Sequence, residues 1–283
     1  MTKVWLITGS ANGLGRDVAE TALAAGHRVV ATARRPEELQ DLVQRYGDNV
    51  RAVRHDVRNS EQADAAVASA IEVFGRLDVL VNNAGYGKFA PFEQFSAEEF
   101  KDIVDTCFYG VVHTTRAALP VMRKQRSGVI LQVSSVGGRI TRPGNAPYLA
   151  AKWAVSGLAE ALAQETAAFG VQVCALEPGG IRTNWGRRAN SDIPRLLPEY
   201  EESVGGVLRM LDRIWGQENS DPRLIAELIV KLADRKDLPP HLVLGSDALT
   251  FLKQADDERA ELLEKWRDTS LSVDFQSAAS AGD

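Results

Sequence analysis

The stretch TGSANGLG at residues 8–15 decides the fold class of this chain. It follows the apolar run KVWLITG, which is typical of a buried strand, and leads into GRDVAETALAAG, which has helical periodicity. Glycines at such a turn permit a tight bend and let backbone N–H groups approach a pyrophosphate at the helix N-terminus. Gly9, Gly13 and Gly15 have the spacing G-x-x-x-G-x-G rather than G-x-G-x-x-G, but the physical reasoning is the same. The position of the turn therefore predicts a dinucleotide site, although any tight strand-to-helix turn can use glycine.

Beyond this turn, short apolar runs alternate with amphipathic stretches. Further strands are predicted at 27–34, 50–57, 77–85, 128–135, 171–180 and 241–245, and helices at 15–26, 36–47, 60–75, 147–170 and 221–235. Such alternation indicates βαβ units and a parallel sheet that is covered on both faces. We expect an α/β fold, a doubly wound (Rossmann-type) parallel sheet with helices on both faces, in a single domain over residues 1–270.

Two segments depart from this pattern. Residues 184–220 contain Pro194, Pro198 and several arginines and show no strand pattern. An irregular insertion of this length in an α/β domain is usually functional, so we expect a substrate-binding lid there. The tail 271–283 is rich in small and polar residues, and we expect it to be disordered.

Composition excludes several classes of function. The chain has 283 residues, 45% of them hydrophobic, and its net charge of -5 gives no reason to expect a nucleic-acid partner. It has neither a secretory pattern nor an apolar run near the roughly 20 residues that span a membrane, so we expect a cytoplasmic protein without a membrane partner. No metal site is expected, since the histidines lack the spacing of ligands: His27, His55, His113 and His241.

The end of the second predicted strand bears on the choice of cofactor. A free ribose 2′-OH usually meets an Asp or Glu about 20 residues beyond the glycines, but here the chain has Ala33, Arg34 and Arg35. Two guanidinium groups suit a 2′-phosphate, which predicts NADP(H) in preference to NAD(H). Two solvated loop arginines are the competing interpretation. Asp56, after the third strand, could accept from the adenine amino group, although an Asp that begins a turn needs no ligand.

Tyr148 and Lys152, in YLAAK, are four residues apart on a predicted helix and so share one face. A tyrosine holds its proton until about pH 10, but a nearby ammonium favours the phenolate and makes the group a usable acid or base. Ser135 ends the preceding strand, where its hydroxyl could polarise a substrate carbonyl. The Y-x-x-x-K pattern occurs by chance on many helices, and its position after Ser135 and NNAG (82–85) makes it more specific.

With TGSANGLG, HDV, NNAG, the serine before YLAAK and PGGIRT in this order, residues 4–183 resemble the short-chain dehydrogenase/reductase family. The resemblance implies carbonyl reduction, reversible to alcohol oxidation, with Tyr148 as general acid or base and Ser135 positioning the carbonyl oxygen. Lys152 would bind the nicotinamide ribose and lower the pKa of Tyr148. The resemblance also agrees with NADP(H) and implies a homodimer or homotetramer.

The family's cofactor contacts carry over to the ends of several strands. Asn83 would stabilise the sheet beside the cofactor, Pro178 and Gly179 would abut the nicotinamide, and Thr183 would contact its carboxamide. The expected cofactor-binding residues are Gly9, Ser10, Asn12, Gly13, Leu14, Gly15, Arg34, Arg35, Asp56, Val57, Asn83, Ala84, Gly85, Tyr148, Lys152, Pro178, Gly179, Ile181 and Thr183.

Cys107, in VDTCFYG (104–110), occupies the one position that departs from the family pattern. Members normally have an Asn there, in N-x-x-G, which holds a water that links the Lys to solvent. A thiol is a weak donor and a poor acceptor, so we expect a modified proton relay at this fourth catalytic position. A nucleophilic thiol would need a base partner, and His113 lies off its helical face. Cys174, within an apolar strand, is expected to be a core residue.

The substrate pocket is expected between the loops that follow the strands and the lid. Its predicted wall favours an apolar or aromatic ketone and consists of Tyr86, Phe89, Val136, Gly137, Trp185, Leu196 and Leu197. Apolar lid residues also pack against their own protein, and Arg182, Arg187 and Arg188 leave an anionic substrate open. Two functions result: an NADPH-dependent ketone reductase, reversibly a secondary-alcohol dehydrogenase, or a catalytically weak NADP-binding regulator or redox sensor that retains the fold. The presence of Ser135, Tyr148 and Lys152 together favours the enzyme.

Overall fold

The computed structural model describes residues 1–275, and within them seven strands form one sheet in the order β3-β2-β1-β4-β5-β6-β7. Every pairing between neighbouring strands is parallel. The strands are β1 Val4–Ile7, β2 Arg28–Ala33, β3 Val50–Arg54, β4 Val79–Asn82, β5 Gly128–Val133, β6 Val171–Pro178 and β7 His241–Leu244. The order reverses between β1 and β4, and the carboxyl ends of these strands open the crevice in which such sheets bind ligands. The predicted doubly wound parallel sheet is confirmed.

The helices cover both faces of the sheet. They are α1 Gly13–Ala24, α2 Gln40–Tyr46, α3 Ser60–Phe74, α4 Ala97–Val104, α5 Gly110–Gln125, α6 Ala146–Thr166, α7 Trp185–Ala189, α8 Val204–Ile214, α9 Pro222–Leu232, α10 Ser246–Lys265 and α11 Arg267–Leu271. Three of the helices in residues 1–275 begin with a side-chain cap, from Asn59 at α3, Ser96 at α4 and Asp221 at α9, and Ser96 with Glu99 forms a reciprocal capping box. None of the helices in residues 1–275 is long and apolar enough to cross a membrane.

Alternation along the strands divides the core into two layers. On β1, Trp5 and Ile7 face a cluster that includes side chains of α1 and α9, whereas Val4 and Leu6 face a cluster that includes side chains of α3, α5 and α6. Because both faces are buried, the strands have continuous apolar sequences rather than alternating ones. Cys174, on β6, is buried in the first of these clusters.

Several predicted boundaries differ from the structure. Residues 184–220 are not irregular throughout, because they contain α7, α8 and a 3₁₀ turn at Pro198–Tyr200. The strand predicted over 50–57 ends at Arg54, which leaves Asp56 in the turn that follows it. The sequence did not predict α10. Of the tail predicted to be disordered, Leu271 is the last residue of α11, and residues 276–283 lie outside the described residues.

Candidate active site

The glycine-rich turn between β1 and α1 leaves no room for a side chain at Gly15. A Cβ added to Gly15 would lie 2.3 Å from Asn83 Nδ2 and 2.5 Å from the Gly9 carbonyl oxygen. Gly9 and Gly13 have φ angles of 70° and 57°, a backbone region that favours glycine. The first turn of α1 contains no acidic residue, so the positive end of the helix dipole is not neutralised by its own side chains. Bare backbone and a positive helix end together fit the pyrophosphate of a dinucleotide.

The contacts of Asn83 and Thr8 join β4 to β1 across the crevice. Thr8 Oγ1 accepts from the N–H groups of Asn83 and Ala84 at 2.9 and 3.0 Å, and Asn83 Nδ2 donates to the Thr8 carbonyl at 3.0 Å. Ser10 instead donates its hydroxyl to the carbonyl of Ile7 at 2.8 Å, which closes the turn on itself. These bonds fix the floor of the site at the point where the strand order reverses.

At the far end of the crevice, Arg34 and Arg35 are exposed after β2. Arg35 forms an ion pair with Glu38. Asp56 accepts from Arg58, whose Nη2 lies 2.7 Å from Oδ2. This bond, with a smaller contribution from the charge of Arg34, lowers the pKa of the Asp56 carboxyl. An adenine amino group would therefore compete with Arg58 for Asp56. Arg58, a third guanidinium at this end, was not predicted as a site residue, although its place directly after the HDV motif was a usable signal.

Tyr148 and Lys152 lie on one face of α6, as the spacing predicts. Lys152 is 4% exposed, and its Nζ donates to the carbonyl of Val133 at 2.6 Å and lies 5.5 Å from the centre of the Tyr148 ring. Burial lowers the pKa of this ammonium group, while the neighbouring Cys107 opposes that shift. Ser135, which follows β5, accepts from the N–H of Gly137 at 3.0 Å and reaches the Tyr148 side chain. The three residues are thus brought together.

The pKa of Tyr148 is set mainly by burial. Burial raises it well above the ordinary value, Cys107 adds to the rise, and only the contact with Ser135 lowers it. Desolvation of the phenolate outweighs the other effects in this side-chain arrangement, and the lowering of this pKa by Lys152 stays a prediction. The phenol therefore keeps its proton over the neutral pH range.

Cys107 lies in a π-helical turn, Asp105–Tyr109, between α4 and α5. Its side chain is fully buried, and Sγ donates to the Tyr86 carbonyl at 3.2 Å. A Cβ added to Gly85 would lie 3.4 Å from Sγ and 3.8 Å from Lys152 Nζ, so thiol and ammonium border the same small space. Burial raises the pKa of the thiol, partly opposed by Lys152. A protonated, buried thiol is a poor nucleophile, in agreement with the prediction that Cys107 is not one.

The segment after β6 crosses the crevice. Gly179 follows Pro178 and faces Asp247, whose carboxylate would lie 2.4 Å from an added Cβ. Ile181 forms an isolated parallel bridge with Ser220, and Thr183 Oγ1 accepts from the N–H of Trp185 at 3.3 Å. These bonds hold α7 close to the carboxyl end of the sheet.

The helix α7 spans the crevice from the tyrosine to the glycine-rich turn. Its Trp185 ring packs against Tyr148 with centres 5.0 Å apart and planes at 52°. Its Arg188 Nη2 donates to Asn12 Oδ1 at 2.7 Å. That this segment acts as a substrate-binding lid stays a prediction. The pairing of Arg188 with Asn12, far apart in the chain, could not be found from sequence.

The predicted pocket wall is only partly assembled around Tyr148. Trp185 touches the tyrosine, and Gly137 lies where a Cβ would be 2.8 Å from Leu149 and 3.4 Å from Ser135 Oγ. The other predicted wall residues have different surroundings: Phe89 is buried near Gly144, Leu196 packs against Gly205, Val136 is half-buried beside Gly137, and Tyr86 and Leu197 are exposed. Val57, predicted as a cofactor contact, packs against Gly110.

A buried polar network supports α6 from behind. Ser134 Oγ contacts the Lys152 carbonyl at 3.2 Å and Ser156 Oγ at 2.9 Å, and Ser156 donates to Glu177 at 3.0 Å. Glu177 is fully buried and also contacts His241 Nδ1 at 2.8 Å. The helix that carries Tyr148 and Lys152 is thereby bonded to β5, β6 and β7. Among residues 1–275 no group of three His, Cys, Asp or Glu side chains is arranged to hold a metal ion.

Comparisons with known proteins show which family this chain belongs to. Residues 3–194 match the family model described as short chain dehydrogenase. A protein of Botryotinia fuckeliana named Oxidoreductase BOA17 is 44% identical over 273 residues, which are 96% of this chain and 99% of that protein. The crystal structure of a short-chain dehydrogenase from Streptomyces avermitilis, 39% identical, superimposes with a TM-score of 0.89 over 97% of this chain and 100% of the other. An alcohol dehydrogenase from the archaeon Thermococcus sibiricus, complexed with 5-hydroxy-NADP, is 26% identical, with a TM-score of 0.70 over 86% and 96% of the two chains.

Proposed function

Because this chain belongs to the short chain dehydrogenase family and is an NAD(P)-dependent oxidoreductase, we propose that it is an NADPH-dependent ketone reductase, reversibly a secondary-alcohol dehydrogenase. The observation that carries the proposal is the meeting of Tyr148, Ser135 and Lys152 at the carboxyl end of β5, beside the crevice of the sheet. A pure nucleotide-binding protein has no use for this combination of hydroxyls and a buried ammonium.

The residues along the crevice fit a dinucleotide with a 2′-phosphate. The bare glycine backbone at Gly9 and Gly15 and the uncompensated end of α1 suit the pyrophosphate, and Arg34 suits the 2′-phosphate. The complex of the Thermococcus sibiricus relative with 5-hydroxy-NADP supports this choice. Bound NADPH would supply a hydride to the carbonyl carbon, so that ketone, NADPH and one proton give a secondary alcohol and NADP⁺.

In this proposal the chain's own groups position the carbonyl and supply the proton. Ser135 Oγ and the Tyr148 hydroxyl donate to the ketone oxygen, and Tyr148 gives up its proton as charge develops there. The Tyr148 phenol carries its proton at neutral pH before reaction, as a general acid in the reductive direction must. The Lys152 ammonium donates one N–H to the Val133 carbonyl and has two further N–H groups. One of these would bind the ribose hydroxyls, and the other would take part in the relay that returns a proton to Tyr148.

The substrate class follows from what covers the tyrosine. The Trp185 ring lies against Tyr148, so a ketone that reaches the phenol has to displace the indole or stack upon it. Flat apolar or aromatic groups make that exchange with little loss of contact area. We therefore assign an aryl or apolar ketone, admitted when α7 moves.

The decisive experiment follows NADPH absorbance at 340 nm with a panel of aryl ketones and the purified chain. We expect turnover of at least one ketone, with NADPH much more effective than NADH. If NADPH binds tightly in a fluorescence titration while no ketone or alcohol reacts, the enzyme proposal fails and the NADP-binding regulator is the correct function.

A further inference from the structure

Asn145, the residue immediately before α6, has a buried side-chain oxygen that accepts no hydrogen bond from the described residues. The residue is 6% exposed, and its Oδ1 has no hydrogen-bond partner among the described residues. A buried acceptor without a partner costs about 1–3 kcal/mol relative to a paired one. Such a group in a folded protein calls for a reason, and a ligand that supplies the missing donor is one.

The helix itself does not use this amide. Asn145 stands at the N-cap position, where an Asn side chain normally accepts from the second or third N–H of the helix. Here the side chain forms no capping bond, and Pro147, at the second position, has no N–H to offer. The backbone carbonyl of Asn145 does join the helix, because it accepts from Leu149 at 3.0 Å. The side chain is therefore left for another purpose.

The amide lies against the lid over the catalytic tyrosine. A Cβ on Gly87 would lie 3.3 Å from Asn145 Nδ2 and 2.8 Å from the Trp185 ring, so amide and indole line the same spot. The same indole packs 5.0 Å from the Tyr148 ring. Asn145 also precedes Tyr148 by three residues, which places both at the first turn of α6.

We propose that Asn145 determines substrate specificity by accepting a hydrogen bond from a hydroxyl or N–H group that the ketone carries close to its carbonyl. The substrate class is then a ketone with a neighbouring donor, such as a hydroxy ketone, rather than a simple ketone. This rests on the proposed ketone reductase and adds to it which ketone is preferred. A site built to bond a hydroxyl discriminates strongly against the analogue that lacks it, because its own buried group stays unpaired.

Three aryl ketones test the proposal: acetophenone, 2-hydroxyacetophenone and 2-methoxyacetophenone. All three share the aromatic ring and the carbonyl. Acetophenone has no polar group beside the carbonyl, the hydroxy ketone has a hydrogen-bond donor there, and the methoxy ketone has only an acceptor. For the wild type we expect kcat/KM for the hydroxy ketone about 100-fold above that of the other two. In Asn145→Leu the ratio of hydroxy ketone to acetophenone should fall at least tenfold. A methoxy ketone as good as the hydroxy ketone, or an unchanged ratio in the variant, overturns the proposal.

Two controls separate specificity from folding. Asn190, in the turn after α7, also has a buried Oδ1 without a partner among the described residues, and Asn190→Leu should keep the wild-type ratio. In urea denaturation, Asn145→Leu should be as stable as the wild type or more so, since an unpaired amide is replaced by an apolar group. If it is destabilised, the amide has a structural role and the proposal is wrong.

Failure of this inference is distinguishable from failure of the proposed function. If the wild type reduces none of the three ketones with NADPH, the ketone reductase itself is refuted and the specificity of Asn145 with it. If it reduces acetophenone and 2-hydroxyacetophenone equally well, the reductase stands and the role of Asn145 alone is refuted.

Discussion

Gly15→Ala tests whether the glycine-rich turn is closed against β4 as the structure shows. The new methyl group would lie 2.3 Å from Asn83 Nδ2 and 2.5 Å from the Gly9 carbonyl oxygen, distances that real Cβ atoms do not reach. To make room, Asn83 must release the bond that it donates to the Thr8 carbonyl at 3.0 Å, and the Gly9 backbone must shift.

The expected loss of stability is the sum of three effects. A buried bond partner left unpaired costs about 1–3 kcal/mol, and forcing an extra methyl into a packed site costs about 1–3 kcal/mol. Alanine in place of glycine within a helix returns about 1 kcal/mol. The free energy of unfolding should therefore fall by about 3 kcal/mol, and the displaced backbone should weaken NADPH binding at least tenfold.

Urea denaturation and a fluorescence titration with NADPH measure the two effects on the same samples. Gly157→Ala is the matched control, because Gly157 lies in α6 and an added Cβ would meet no atom within 4 Å. That variant should gain about 0.5–1 kcal/mol and bind NADPH like the wild type. If Gly15→Ala is as stable as Gly157→Ala and binds NADPH normally, the packing argument for the turn is refuted.

Three further predictions concern pH, cofactor choice and the relay. Burial lowers the pKa of His55 from 6.5 to about 4. The unfolded chain therefore takes up the proton first, and stability is lost as pH falls, by about 2 kcal/mol between pH 7 and pH 5; His55→Gln should remove this part of the slope in urea titrations, and an unchanged slope contradicts it. Arg34→Ser should raise the Kd of NADPH at least tenfold and leave that of NADH nearly unchanged, and equal effects on both would show that Arg34 does not bind a 2′-phosphate. Cys107→Asn should preserve or raise ketone reduction, since an amide can replace the thiol as donor to the Tyr86 carbonyl at 3.2 Å; a large loss of kcat would show that the relay needs the thiol.

Local and periodic features of the chain could be read from the sequence. The TGSANGLG turn and the strand–helix alternation predicted the parallel sheet, because buried strands have continuous apolar runs and glycine is obligatory where backbones meet. The spacing of Tyr148 and Lys152 placed both on one helical face, and the end of β5 placed Ser135 beside them.

What the sequence could not give depends on long-range packing. Two helices were missed because few of their residues are buried. The sequence of α8 begins with two glycines after Val204, and α10 is mostly polar and exposed. The π-helical turn that buries Cys107 has no sequence signature, since it adds one residue to an ordinary helical pattern. The rise in the pKa of Tyr148 and the unpaired amide of Asn145 both arise from burial by residues distant in the chain, such as Trp185.

The role of Tyr148 as the proton donor is the central claim, and Tyr148→Phe tests it most directly. The substitution removes one hydroxyl and leaves the ring in contact with Trp185. The measurement is kcat for ketone reduction together with the Kd of NADPH on the same protein. We predict that kcat falls at least 100-fold while Kd stays within about twofold of the wild type, as expected for loss of a general acid. A variant that retains more than one-tenth of the wild-type kcat would contradict the assignment.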